Sequence, residues 1–228
     1  MCLGRTHALS GLAAGAAAST LYLHLDPPHA AFCAALTAGF ATLPDLDSCG
    51  STASRSLGFL SEGFAWVVRT VSGGHRHATH SALGVGIFTV LAWAACHYRH
   101  TWAGLGGLLL LLTLGIAAGL RALGLLRHLD DIAAIVAASA IVGTQYGLTL
   151  MPLACGLGVA VHIVGDMCTD EGVPLAWPLS QAHFRLLPGP LAFTTGTRPE
   201  TWVVAPGLMV ALGWLCWHAA AVPGWLRL

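Results

Sequence analysis

The stretch Gly158-Val-Ala-Val-His162-Ile-Val-Gly-Asp166 sets an imidazole and a carboxylate four residues apart at the end of an apolar run. On a helix that spacing puts both side chains on one face. Histidine nitrogen and carboxylate oxygen together make half of a site for a borderline metal ion. Asp166 has no basic neighbour in sequence. A lone carboxylate in an apolar helix is costly and tends to protonate, and a divalent cation removes that cost. The helix is predicted to stop near Thr169, because Gly172 and Pro174 do not readily continue it.

Other segments supply further candidates. Asp45 and Asp47 follow Pro44 at a helix end and can offer oxygen ligands, or can serve as a helix stop and solvated turn. His75, His77 and His80 cluster ahead of an apolar segment, where they are ligands or an interfacial cap. Arg76 among them could clamp an anion such as a phosphate. His7 near the start is a weaker candidate, since a terminal histidine often has no role. His24, His29, His97, His100, His128, His183 and His218 read as interfacial or structural residues.

The elements that must position these groups are membrane helices. Of 228 residues 56% are hydrophobic and only 9% charged, against roughly 25% charged in a soluble domain. The mean hydropathy is +0.72. Ten acids balance ten arginines, so no net basic field points to nucleic acid. Seven cysteines without a C-x-x-C spacing read as small apolar core residues. The first apolar run lacks a clear cleavage site and is read as a retained helix.

Seven apolar segments can be drawn: 8–25, 30–43, 81–96, 102–120, 132–150, 153–168 and 201–220. They approach the ~20 residues that cross a bilayer. The expected fold is therefore a single all-α polytopic domain over 1–228. The first segment, rich in Ala and Gly, should pack closely on its neighbours. Between the second and third lies a polar region, 44–80, in which 57–71 reads as an amphipathic interfacial helix. Segments five and six should hinge at Met151-Pro152, and Asp130 or Asp131 should cap segment five. A proline-rich loop runs over 169–200.

With the N-terminus in the cytoplasm, Arg5, Arg55, Arg69, Arg76, Arg121, Arg127, Arg185 and Arg198 fall inside, against Arg99 and Arg227 outside. That asymmetry supports the orientation. The same threading puts His7 ahead of segment one and gathers Asp45, Asp47, His75, His80, His162 and Asp166 at the same membrane face.

The motifs Arg5-Thr-His7, Leu43-Pro-Asp45-Leu-Asp47, Gly74-His-Arg-His-Ala-Thr-His80-Ser and His162-x3-Asp166-x2-Thr169-x2-Gly172-Val-Pro-Leu-x-Trp177-Pro178 resemble the YdjM-type membrane-bound metal-dependent hydrolases of bacteria. Arg185-Leu-Leu-Pro188 and Thr195-Gly196 with Glu200 resemble the tail of that family. The likeness spans nearly the whole chain. The family is distantly similar to zinc-dependent phospholipase C and to the single-strand nucleases of that fold. The resemblance implies that His7, Asp45 or Asp47, His80, His162 and Asp166 are ligands, with Asp166 a candidate to bridge two metals. His75 and Arg76 match the motif. His77 departs from the family's usual small residue, and Asp170 and Glu171 add acidity that the motif does not require.

The function expected is metal-assisted hydrolysis of a phosphoester, with a lipid or amphiphile arriving laterally from the inner or plasma membrane. Zn2+ is the first choice of cation and Mn2+ an alternative. Asp45 or Asp47 would ligate or act as base, and Arg76 would assist. The rivals are a metal-binding transporter or sensor and a structural protein without metal. A transporter would place its ligands near the bilayer midplane.

Overall fold

The computed structural model describes residues 3–126, 129–189 and 192–221, with no side chain described for 219–221. Among them every regular element is a helix, with two isolated β-bridges in the loop 169–199. The expected all-α class is what the chain adopts.

Helix α1, Gly4–Ala17, continues into a π-helical turn, Ala18–Tyr22. Helix α2, Pro27–Phe40, starts where Asp26 accepts from His29 N at 2.9 Å and proline occupies the first turn, an arrangement suited to the orphan donors of a helix start. The 3-10 turn Leu43–Asp47 follows. Helix α3, Phe59–Ser72, ends at Gly73, whose φ of 84° opens the αL cap. A 3-10 turn, Ala78–His80, leads to helix α4, Ala82–His97, capped by Ser81. Then come α5, Trp102–Leu123, and α6, Asp130–Thr144. The 3-10 turn Leu148–Leu150 runs into α7, Met151–Met167, and a π-helical turn, Glu200–Val204, into α8, Ala205–Ala221.

Three expected boundaries shift. His7 does not precede the first helix but lies in its first turns. The fifth segment ends at Thr144, not Leu150: the reversal occurs where Gln145 and Gly147 take φ of 56° and 65°. Pro152 then sits harmlessly in the first turn of α7, where its missing N–H is no loss. Leu129, not Asp130 or Asp131, holds the N-cap position of α6, and both carboxylates reach Arg121, Asp130 Oδ2 to Nε at 2.6 Å. Arg127, His128 and Arg227 lie outside the described residues.

Small residues let three helices meet at backbone distance. A Cβ on Gly11 would lie 2.6 Å from Thr37 O, and one on Gly15 would lie 2.7 Å from Ala34 Cα, so α1 packs directly on α2. A Cβ on Gly158 would meet Thr37 O and Ala41 N at 2.8 Å, so α7 presses on α2 as closely, against the same Thr37 carbonyl as Gly11. This is the close approach that Gly and Ala allow between membrane helices. Phe40, Leu43, Leu46, Met151 and Val159, with Leu108 and Leu112 of the helix Trp102–Leu123, form the main apolar core.

The helices alternate between two ends. At one end His29 stacks on Tyr146 with ring centroids 4.7 Å apart, and Arg99 reaches Gln145 at 3.5 Å. At the other, Arg121 Nη1 donates to Arg55 O and Ala82 N to Leu175 O. His7, the Leu43–Asp47 turn, His80 and the last turn of α7 share that second end.

Segments Trp102–Leu123, Leu148–Met167 and Glu200–His218 are long and apolar enough to cross a membrane, and Ala82–His97 is apolar but shorter. Helices α1, α2, α4 and α6 have 14 to 16 residues, or roughly 21–24 Å at 1.5 Å each, against a hydrocarbon core of about 30 Å.

Candidate metal centre

Four segments converge. The carboxylate of Asp166, in the last turn of α7, stands one turn from His162 as the spacing required, with Nε2 to Oδ2 at 3.8 Å. His162 Nδ1 lies 2.7 Å from Ala41 O. A carbonyl only accepts, so Nδ1 carries the proton and Nε2 presents a lone pair. Gly158, one turn earlier, is what lets α7 come near enough to α2 for that bond.

His80 is oriented from the opposite side. Its Nδ1 faces Asp47 Oδ2 at 3.2 Å and Thr79 Oγ1 at 3.1 Å, which leaves Nε2 pointing inward. The two Nε2 atoms of His80 and His162 stand 3.2 Å apart. Asp45 Oδ1 is 3.7 Å from each, and Asp166 Oδ2 is 3.7 Å from His80 Nε2. Ligand atoms 2.0–2.2 Å from one tetrahedral ion stand roughly 3.3–3.6 Å from one another. All four residues are almost fully buried, and Asp45 Oδ1 has no hydrogen-bond partner. Of the two acids left open by the sequence, Asp45 approaches His80, His162 and Asp166, whereas Asp47 lies behind His80 at its Nδ1.

His7 extends the group. Its ring stacks on His162 with centroids 3.7 Å apart, and its buried Nε2 lies 3.3 Å from Asp166 Oδ1 without a hydrogen-bonding geometry. Three sets can offer atoms to a cation: His7, His162 and Asp166; Asp45, His80 and His162; and Asp47, His75 and His80.

Asp47 is placed differently from Asp45. Its Oδ1 is 2.7 Å from His75 Nδ1; its Oδ2 accepts from Arg76 N at 3.1 Å, from the Thr79 hydroxyl and from His80 Nδ1. Burial alone would raise its pKa, but the bonds from His75 and His80 outweigh burial and hold it well below the usual carboxylate range. For His80, burial opposes the charge, yet Asp45 and Asp47 overcome it and push the pKa up to about 9.

Arg76 has φ of 60°, a left-handed conformation rare outside glycine, and that turn aims its N–H at Asp47. Its buried guanidinium reaches Asp166 Oδ2 at 3.4 Å, Gly172 O at 3.1 Å and Glu171 at 2.5 Å. The carboxylate with no basic neighbour in sequence thus has one in space. Gly172 must be glycine: its φ is 66°, and a Cβ would fall 2.5 Å from Phe184 O.

His77 Nδ1 donates to the His75 carbonyl at 3.0 Å and joins none of the three sets. Asp170 accepts from Thr194 Oγ1 and Glu171 contacts Arg76, so neither added acid is among the clustered ligand atoms. His24, His29, His97, His100, His183 and His218 also lie outside the sets. Glu200, whose part the motif did not disclose, is fully buried; it accepts from Leu3 N at 2.5 Å and Gly196 N at 2.7 Å, and so ties the start of α1 to the tail. Thr79 carried a signal, as a hydroxyl beside His80 in the motif. The Ala41 carbonyl carried none, because a backbone atom is invisible to residue type.

A family model described as YdjM inner membrane protein matches residues 1–223. No curated protein and no solved structure matches the chain.

Proposed function

The chain belongs to the YdjM inner membrane protein family, and from that premise we propose that it is a membrane-embedded, metal-dependent hydrolase of a phosphoester carried by a lipid or other amphiphile. The observation that carries the reading is the meeting of His80 Nε2 and His162 Nε2 at 3.2 Å beside an Asp45 oxygen without a donor. Buried acceptors facing one another are costly; a proton on His80 can bridge only one such pair, whereas a divalent cation satisfies them together. The residues present thus fit such an ion, with His80, His162, Asp45 and Asp166 as its holders, His7 beside them, and Zn2+ the cation best matched to nitrogen and carboxylate ligands. When bound, it supplies Lewis-acid activation of water and charge neutralisation for a phosphoryl oxygen.

The chain's own groups divide the remaining work. Asp47 orients His80, as second carboxylates commonly orient metal-ligating histidines. It also holds His75 by Nδ1, which leaves the Nε2 edge of a side chain 35% exposed as a proton acceptor. The Arg76 guanidinium balances the negative charge of Asp166 and Glu171, and its backbone N–H holds Asp47. We read the seven helices other than α3 as crossing the membrane, with the N-terminus and the metal centre at the cytoplasmic face. Reporter fusions after residues 50 and 185 should then agree with each other and oppose one after residue 99.

The test is turnover of phospholipids in detergent micelles by metal-loaded protein, followed as released phosphate or phosphorylated headgroup. His75→Gln should lower turnover by about 10²–10⁴ and leave the metal content unchanged. A loaded protein that hydrolyses no phosphoester would move the reading to a metal-binding transporter or sensor, which the near-complete burial of the four holders favours.

A further inference from the structure

Between α3 and the Leu43–Asp47 turn lies a cavity of about 320 Å3. Asp47 and Ser54 contribute to its wall, and Arg55, Arg69, Glu62 and Trp66 stand around it. Among the described residues neither guanidinium is paired with an acid. Arg69 Nη1 reaches only Cys49 Sγ, at 2.5 Å, and the Arg55 guanidinium packs over Gly50, where a Cβ would come to 2.9 Å. Glu62 and Asp47 also line it, so its charges balance in sum, but the Asp47 oxygens are occupied by His75, His80, the Thr79 hydroxyl and the Arg76 N–H, while the two guanidiniums have no acid partner among the described residues.

The outer side of α3 is apolar. Phe59 is 81% exposed, Val71 79% and Trp66 64%, with Leu60 and Val67 on the same stripe, while Ser61, Ala65 and Ser72 are turned inward. A helix that faces outward with its apolar side and inward with its small polar residues suits a bilayer surface, not water. Trp66 belongs to both the stripe and the cavity, so the charged space opens beside the apolar one.

We propose that this cavity binds the phosphate headgroup of a bilayer phospholipid, with the phosphate between Arg55 and Arg69 and the acyl chains along α3. The assignment rests on the hydrolase reading in treating the lipid as substrate, since Asp47 is common to the cavity wall and the metal centre. Guanidinium groups match phosphate oxygens in charge and in planar geometry.

The experiment is calorimetric titration of the detergent-purified full chain with dihexanoyl phosphatidic acid. Dihexanoylglycerol and inorganic phosphate serve as controls, and the metal content of each sample is measured. The wild type should bind the phospholipid at least ~10-fold more tightly than either control. Arg55→Gln with Arg69→Gln should weaken it by ~10-fold or more, and the double lysine variant should stay within a few-fold of wild type. Both arginines are exposed, so thermal melting should be the same in all three. Equal binding of dihexanoylglycerol, binding of phosphate as tight as the lipid, or a double glutamine variant that binds like wild type overturns the proposal. A metal-free preparation that still shows the arginine-dependent binding keeps this site and removes the hydrolase reading. A metal-loaded one without such binding removes this site alone.

Discussion

Asp45 and Asp47 sit two residues apart on one 3-10 turn, both buried, yet they face opposite chemistry. Asp47 is surrounded by donors: His75, His80, the Thr79 hydroxyl and the Arg76 N–H. Asp45 Oδ1 meets no donor and instead faces the inward nitrogens of His80 and His162 at 3.7 Å. The difference teaches that one turn serves two regions. Its outer side is a saturated polar scaffold, and its inner side collects lone pairs that only a cation or a proton can reconcile. A saturated carboxylate fixes geometry; an unsaturated one is available to bind.

The sharpest way to break this contrast is Asp45→Asn. The amide keeps the volume but removes the charge facing two imidazoles. Metal affinity should fall by more than ~100-fold, beyond the range usual for outer residues, as read by competition with a chromophoric chelator. Asp47→Asn should do less. It loosens His80 and His75 without removing a holder, so the affinity should fall by about 10–100-fold while the protein still binds metal at saturation. If the two substitutions cost the same, the division between scaffold and ligand is wrong.

The smallest effect sharpens the contrast through pH. His80 has its pKa raised to about 9 by Asp45 and Asp47 against the cost of burial. Its raised value means that below pH 9 His80 holds a proton that a cation must displace. Apparent metal affinity of the wild type should therefore rise by about tenfold per pH unit from 7 to 9 and level off above. In Asp47→Asn, which lowers the His80 pKa, the plateau should begin at lower pH. In the metal-free protein the sign is reversed for stability: the contribution of charged His80 is complete below the ordinary histidine value near 6.5 and is lost as pH rises through about 9. Melting of chelated protein across that window checks it.

Much of the site was legible in sequence because its chemistry sits in side chains. His162 and Asp166 announced themselves by helical spacing, and the alternation of apolar segments brought Asp45, His80 and His7 to the same end. The split between Asp45 and Asp47 was not legible. Both are acids in one short motif, and which of them meets donors depends on the positive φ of Arg76 and the tilt of His80. The tautomer of His162 depends on a backbone carbonyl of α2, which no residue type marks. The hinge was misplaced at Pro152, because proline is a strong breaker in sequence but is neutral in a first turn. The turn instead uses Gln145, a residue that seldom takes positive φ.

The central claim is that the buried cluster holds a divalent cation through Asp166. Elemental analysis of wild type and Asp166→Asn, purified side by side in detergent, tests it most directly, with melting recorded before and after chelator. The wild type should carry metal and lose several degrees of melting temperature on chelation, as removal of a ligand that binds only the folded state requires. Asp166→Asn should be nearly metal-free and melt the same with or without chelator. Equal metal in the two proteins would contradict the assignment to Asp166, and a metal-free wild type indifferent to chelator would contradict the metal centre itself.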